Sequence, residues 1–539
     1  MRDNLKWVEG LPIIIGTGGK ARWMPYGAGR AVAMDARLLG VLFWGAVAAA
    51  VYCLRPNAVL NRTDMEICGR REMLVMAGLA LATVLVCILP MSLSPYWNGE
   101  FPQHRNQYEV MAESLLNGHI YMDYDDIDPR LLEMDNPYDT MKRVELDVSV
   151  HWDHAFYNGR YYMYFGVVPV LLVFLPFRVI TGTALLSYQG TQVFTALFIV
   201  GVFFLFRLLA RKFFPSLSWG AYLSMSAAFS MMSVWYVAGT PALYCTAIAS
   251  GICMEVWSLY FFARAVWDSS SETRATLWGV LGSLMGALAF GCRPPVALAN
   301  LLAVPMLVHY VRGRRWDRRL LGQIAAVALP YLVVGAALMA YNYARFENPF
   351  EFGQSYQITV TDQSSYGNLL SRFDLCKVVN GLLSNFLLFN AVEPEFPYVS
   401  ISSALINFPV CIFALFCLAQ RDTLALMKAR RFRSFIAILL LLPILITVSE
   451  VLMSPWLLER YRSDFYWLMG LLCFLSFGFF CQSAPETSRR RWCFVISLAA
   501  LLTAFKSFLL WANPNDYNFT YCDPAYLDKF ASILSLGLN

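Results

Sequence analysis

Long apolar runs separated by short polar loops dominate the chain. Twelve runs cover residues 36–54, 73–94, 188–210, 217–237, 242–264, 275–291, 295–311, 320–343, 398–420, 434–453, 464–482 and 492–511. Each approaches the ~20 residues that carry a helix across ~30 Å of hydrocarbon. The pattern predicts an all-α integral membrane protein with about 11–13 transmembrane helices. A further apolar stretch at 161–180 is interrupted by Pro169 and Pro176 and fits a broken juxtamembrane helix.

Charge gives the spans a direction. Arg207, Arg211 and Lys212, the run Arg312 to Arg319, the run Arg421 to Arg433, and Arg489 to Arg491 all occupy short loops. Basic loops of this kind face the cytoplasm. Alternation then puts residues 238–241, 291–295, 345–397, 454–463 and 512–539 outside, and makes 95–187 one large outer loop. The same parity forbids 161–180 from crossing. It also gives helix 36–54 an outer N-terminus, although residues 1–37 carry six Lys/Arg. The organisation expected is a tail (1–35), two N-terminal membrane helices (36–94), the first outer loop (95–187), membrane helices (188–344), a second outer loop (345–397), membrane helices (398–511) and an outer tail (512–539).

Composition narrows the class. With 58% hydrophobic and 15% charged residues and a mean hydropathy of +0.50, the 539 residues do not read as a string of soluble domains. The net charge of +5 resides in inter-helix loops, so it gives no reason to expect a nucleic-acid partner. Residues 1–35 hold no apolar core long enough for a cleavable signal, and targeting is expected from the first membrane helix. Most of the thirteen cysteines fall inside apolar runs. Cys376 and Cys522 are the pair in outer segments that a disulfide could join.

Polar chemistry is concentrated in one place. Residues 95–160 contain four of the five histidines and thirteen of the 37 carboxylates. Within them, Tyr108, Met111, Ala112, Leu115 and Leu116 share a helical face, and Gly118 follows as a stop. An amphipathic juxtamembrane helix is expected there. Farther on, His151, Asp153 and His154 lie within four residues, just ahead of the aromatic return to the membrane.

These motifs resemble a family. The first loop reads Tyr108-x-x-x-Ala112-x-x-Leu115-x-x-Gly118, then Gly159-Arg160-Tyr161-Tyr162 leads into a proline-containing apolar segment ending in Thr181-Gly182. This is similar to the GT-C superfamily of polytopic glycosyltransferases, in particular bacterial relatives of protein mannosyltransferases and of the lipid A aminoarabinose transferase. The segments YNYARFENPFEFGQSYQ (341–357) and ERYRSDF (459–465) also resemble bacterial members, and the likeness runs from about residue 73 to 511. It implies a multi-pass protein of a bacterial plasma membrane. The implied reaction moves a sugar from a polyprenyl-phosphate donor to a glycan, lipid or protein acceptor at the outer face. Where the family has an Asp, often Asp-Glu, ahead of the loop tyrosine, this chain has His104 and Arg105. The nearest carboxylate is Glu100, and residues 236–244 carry no acidic residue.

Such a transfer needs a carboxylate base and cations to hold the departing phosphate. Asp153 and Glu100 are the candidate bases. His151, His154, Arg293, Arg345, Arg460, Tyr461, Arg462 and Asp464 are the candidate substrate contacts, the arginines because they stand on the side where basic residues are scarce. Each has a structural alternative: loop-ordering ion pairs for Asp153, Arg460, Arg462 and Asp464, an interfacial carboxylate for Glu100, and snorkelling for Arg293. The His151–Asp153–His154 group could also bind a divalent metal, and no cofactor is otherwise indicated. Two rival readings are a transporter or flippase, for which Glu255 and Glu450 are the ionisable residues inside apolar runs, and a non-catalytic relative.

Overall fold

The computed structural model describes residues 7–8, 11–12, 36–93, 107–241, 243–366, 372–388, 401–454, 457–512 and 524–536. Glu100, His104, Arg105 and Cys522 lie outside them. The chain opens with helices α1 (Ala36–Leu54), α2 (Val59–Arg62) and α3 (Arg70–Ile88). The first loop carries α4 (Gln107–Leu116), α5 (Pro129–Glu133), α6 (Thr140–Glu145), a β-hairpin (Ala155–Tyr157 with Arg160–Tyr162), a π-helical turn (Val170–Phe174) and α7 (Leu175–Thr181). Next come α8 (Ser187–Phe213), α9 (Trp219–Gly239), α10 (Leu243–Trp267), α11 (Glu272–Cys292), α12 (Ala303–Val311) and α13 (Arg318–Phe346). The last part comprises α14 (Leu375–Phe386), α15 (Ala404–Asn407), α16 (Val410–Leu418), α17 (Arg421–Ala429), α18 (Arg433–Met453), α19 (Ser463–Ser483), α20 (Glu486–Ala512) and α21 (Pro524–Leu534).

Among the described residues, nine helices are long and apolar enough to cross a membrane, and ten if α16 and α17, bent by 72°, form one broken span. Helix α9 has 21 residues but a different surround. All of it except Ala227 and Met231 is buried, and Ser226, Ser230 and Ser233 return their hydroxyls to carbonyls four residues back. A helix sheathed by protein can carry serines that lipid would penalise. Helix α13 is the opposite case, with Leu329, Leu332 and Val333 exposed along an apolar outer face. The expected span at 295–311 is a short one, a 3₁₀ segment (Val296–Leu302) opened by Pro294 and Pro295 and then α12, yet it still returns the chain from the end of α11 to the basic loop, where Arg314 pairs with Glu272 (3.5 Å). The 161–180 stretch is likewise short: strand to Tyr162, then the π-turn and α7.

The basic loops gather at one end of the bundle. There Asn61 Nδ2 donates to the Arg490 carbonyl (3.1 Å), and Arg319 pairs with Glu272 (2.8 Å). The start of α1 faces the other way. Trp44 Nε1 donates to the Leu534 carbonyl of α21 (2.9 Å), while Phe43 stacks on Phe508 near the far end of α20. Helix α1 therefore runs toward the basic end, as the parity of the loops requires.

Candidate active site

At the end remote from the basic loops, the first and second long loops fold together. The hairpin turns at Asn158-Gly159, both at positive φ (48° and 74°), the conformation a two-residue Asn-Gly turn supplies. The second loop adds to its edge: Phe156 N donates to Tyr356 O (2.9 Å), Ile358 N to His154 O (2.8 Å) and Asp153 N to Ile358 O (2.9 Å). Arg143 and Thr140 both donate to the Thr359 carbonyl, at 2.8 and 2.9 Å.

Helix α4 buries Tyr108, Met111 and Ala112 as its apolar periodicity requires, although Leu116 is exposed. Tyr108 stacks on Phe174 of the π-turn (centroids 5.1 Å). Beyond the hairpin the chain presses against the end of α11 at Gly166. A methyl group there would overlap the carbonyl oxygens of Gly291 and Cys292, so only glycine permits the approach.

Between these loops and the helix ends lies a cavity of about 290 Å³, lined from seven segments of the chain by Asp153, Tyr164, Tyr244, Arg293, Arg345, Gln357, Glu450, Arg460 and Tyr461, with Phe165, Val167, Phe290 and Leu338 as apolar wall. Asp153 is its best-held carboxylate. It is 7% exposed and sits at φ 57°, a left-handed conformation that a non-glycine residue keeps only where its surroundings fix it. Gln107 Nε2 donates to its carbonyl (2.6 Å), Gln357 Nε2 to Oδ1 (2.9 Å), and the Tyr244 hydroxyl to Oδ2. Burial raises the Asp153 carboxyl above the ordinary carboxylate range, against the opposing pull of Tyr244 and Arg460. Burial likewise pushes the Tyr164 hydroxyl up.

The cations come from separate elements. Arg293, just past α11, donates through Nε to both Asp464 oxygens (2.7 and 2.6 Å) and lies over Tyr461. Arg460 lies over the Tyr244 ring at 4.1 Å. Arg345 is 5% exposed and donates to the Met163 carbonyl (2.8 Å) and Asn342 Oδ1 (2.7 Å). Its Nε has no hydrogen-bond partner among the described residues.

The remaining candidates stand outside the lining. Asp464 is buried behind Arg293 as its counter-ion, not on the cavity wall. Arg462 turns to Asn385 Oδ1 (3.3 Å) and the Ser402 carbonyl (2.8 Å). His151 pairs with Asp126 (3.0 Å) and stacks on Tyr124. His154 donates from Nδ1 to the Trp152 carbonyl (2.8 Å) and accepts the Tyr124 hydroxyl at Nε2 (2.8 Å). Burial lowers it to about 3, so it stays neutral. The three side chains of the His151–His154 stretch thus diverge, and among the described residues no group of three or more His, Cys, Asp or Glu converges on a metal position. Glu255 is tied to Asn300 Nδ2 (2.7 Å) within the bundle, away from the cavity lining.

Sequence reasoning missed Gln107, Tyr164, Tyr244 and Gln357. Gln357 closes the quoted segment 341–357, and Gln107 precedes the motif tyrosine, so both were within reach. Tyr244 carried no signal of its own.

No protein-family model matches the chain, and no curated protein matches it in sequence. Among solved structures it is similar to ArnT from Cupriavidus metallidurans bound to undecaprenyl phosphate, at 15% identity and a TM-score of 0.41 over 86% of this chain and 76% of that one. It is also similar to the Archaeoglobus fulgidus oligosaccharyltransferase. With an acceptor peptide tethered through a disulfide, that structure gives 14% identity and a TM-score of 0.45 over 83% of this chain and 56% of that one. In its apo form the values are 12%, 0.41, 82% and 57%. Identity and TM-score are low in every case.

Proposed function

We propose that this protein is a membrane glycosyltransferase that takes a sugar from a polyprenyl-phosphate donor at the non-cytoplasmic face and transfers it to an envelope glycan, lipid or protein. The observation that carries the reading is one cavity in which a buried, tightly held carboxylate, Asp153, faces Arg293, Arg345 and Arg460. In the reaction, Asp153 takes the proton of the acceptor hydroxyl. The acceptor oxygen bonds to the anomeric carbon as the bond from that carbon to the phosphate oxygen breaks, and the electron pair leaves with the lipid phosphate. The arginines hold the charge that develops on that phosphate, in a site where burial strengthens each contact. Tyr244 and Gln357 fix which way the Asp153 carboxylate points. The apolar wall suits a donor that arrives with a lipid chain.

The test uses the purified full chain in liposomes with radiolabelled undecaprenyl-phosphate sugars and an envelope lipid extract as acceptor. The reading expects label in the acceptor fraction from the wild type and none from Asp153→Asn. Equal labelling by both would overturn the role of Asp153. A transporter would move the labelled donor across the bilayer and leave the acceptor unlabelled.

A further inference from the structure

Glu450 lines the same cavity from the end of α18 and is 3% exposed. Among the described residues no N–H donates to either of its carboxylate oxygens, and the side chain it meets at hydrogen-bonding range is the Asp464 carboxyl, itself an acceptor from Arg293. Its charged neighbours are Arg293 and Asp464. Asp464 lies against it carboxyl to carboxyl, and Arg293 has already committed its Nε to Asp464. Asp153, in the same cavity, has both oxygens bonded. A protein seldom keeps a carboxylate buried without donors unless something else supplies them.

The missing donors need not be cationic. Asp153, Glu450 and Asp464 are matched in number by Arg293, Arg345 and Arg460, so the charged side chains of the site balance without a ligand. What Glu450 lacks is two hydrogen-bond donors, side by side, one for each oxygen. Hydroxyls on neighbouring ring carbons provide that pair, and a charged acceptor makes such bonds strong.

We infer that Glu450 is the subsite for a vicinal diol of the transferred sugar. The ligand class is a neutral polyhydroxylated ring carried on the lipid phosphate. The inference rests on the glycosyl-transfer reading and adds the part of the donor that the cavity recognises beyond its phosphate.

Binding of lipid probes to the full chain in nanodiscs tests it without any turnover. The probes are undecaprenyl phosphate, a set of undecaprenyl-phosphate-linked hexoses and pentoses, and monodeoxy forms that lack one hydroxyl of the diol. The wild type should bind at least one glycosylated probe about tenfold or more tighter than undecaprenyl phosphate, on the scale of hydrogen bonds to a charged group. Glu450→Gln should lose that increment while still holding undecaprenyl phosphate. Independently of any variant's folding, the monodeoxy probe should lose the increment on the wild type. A preference for glycosylated lipid that survives both Glu450→Gln and removal of the hydroxyl overturns the subsite, as does a wild type with no such preference. A wild type that fails to bind undecaprenyl phosphate instead overturns the transferase reading itself.

Discussion

The two ends of the bundle handle charge in opposite ways. At the basic end, Arg319 is 69% exposed and its partner Glu272 is 42% exposed, and the pair sits in solvent. At the cavity end, Arg293 is 14% exposed and its partner Asp464 is 0% exposed. Asp153, Arg345 and Glu450 are buried beside them. An exposed cation does its topological work simply by being in the loop, and its exact partner matters little. A buried one must be held by named groups or be destabilising. Charge that folding would rather avoid, concentrated in one cavity, is what makes this end the candidate site of chemistry.

The sharpest way to break this contrast is Asp153→Asn. If Asp153 is the base, transfer falls by about 10²–10⁴-fold, measured as initial rate in liposomes, while the hydrogen bond from Tyr244 keeps an acceptor. Arg293→Ala removes a phosphate contact and should raise the barrier by about 2–4 kcal/mol. It also leaves Asp464 buried without its cation, so melting temperature should be recorded alongside the rate. Arg345→Ala sharpens the comparison differently. Because Arg345 ties the first loop to α13 through the Met163 carbonyl, its loss should cost stability of about 1.5–3 kcal/mol, the worth of hydrogen bonds from a charged group. An interfacial arginine that merely reached water would show no such loss.

The pH dependence is a smaller and more particular effect. Burial raises the Asp153 carboxyl above its unfolded value, so the folded protein binds that proton more tightly than the unfolded chain. Its contribution to stability therefore falls as pH rises from the ordinary carboxylate range through the raised value. Transfer should move the other way across the same window, because the base must be ionised. Parallel pH profiles of rate and melting temperature check the opposition, and Asp153→Asn should flatten both. At the bottom of the scale, Arg319→Ala at the basic end should leave transfer unchanged and alter stability by well under 1 kcal/mol. A large effect there would erase the distinction between the two ends.

The spans were legible because lipid imposes one pattern, a long uninterrupted apolar run, and eleven of the twelve runs became membrane-length helices or a bent pair of that length. The run at 295–311 also passes from the cavity wall to the basic loop, but Pro294 and Pro295 open it with a 3₁₀ segment, so its helical part is shorter than apolar composition alone suggests. Within the cavity, Asp153, Arg293, Arg345, Arg460 and Tyr461 could be picked out as charged or aromatic residues near outer helix ends. Arg462 could not be told from Arg460 by sequence. In the short 3₁₀ turn at Glu459–Arg462, Arg460 reaches the cavity and Arg462 turns to Asn385. Gln357 and Glu450 depended on how distant segments meet, the first through a second-loop strand added beside Asp153 and the second through its position next to Asp464. No local pattern encodes either meeting.

The account's central claim is that the lipid phosphate and the catalytic carboxylate share this cavity. A structure of the full chain in nanodiscs with undecaprenyl phosphate bound tests it most directly. The account predicts the phosphate among Arg293, Arg345 and Arg460, with the Asp153 carboxylate facing the oxygen that would carry the sugar. A phosphate seated at the basic end, or on the lipid-facing side of α13 with the cavity empty, would contradict it.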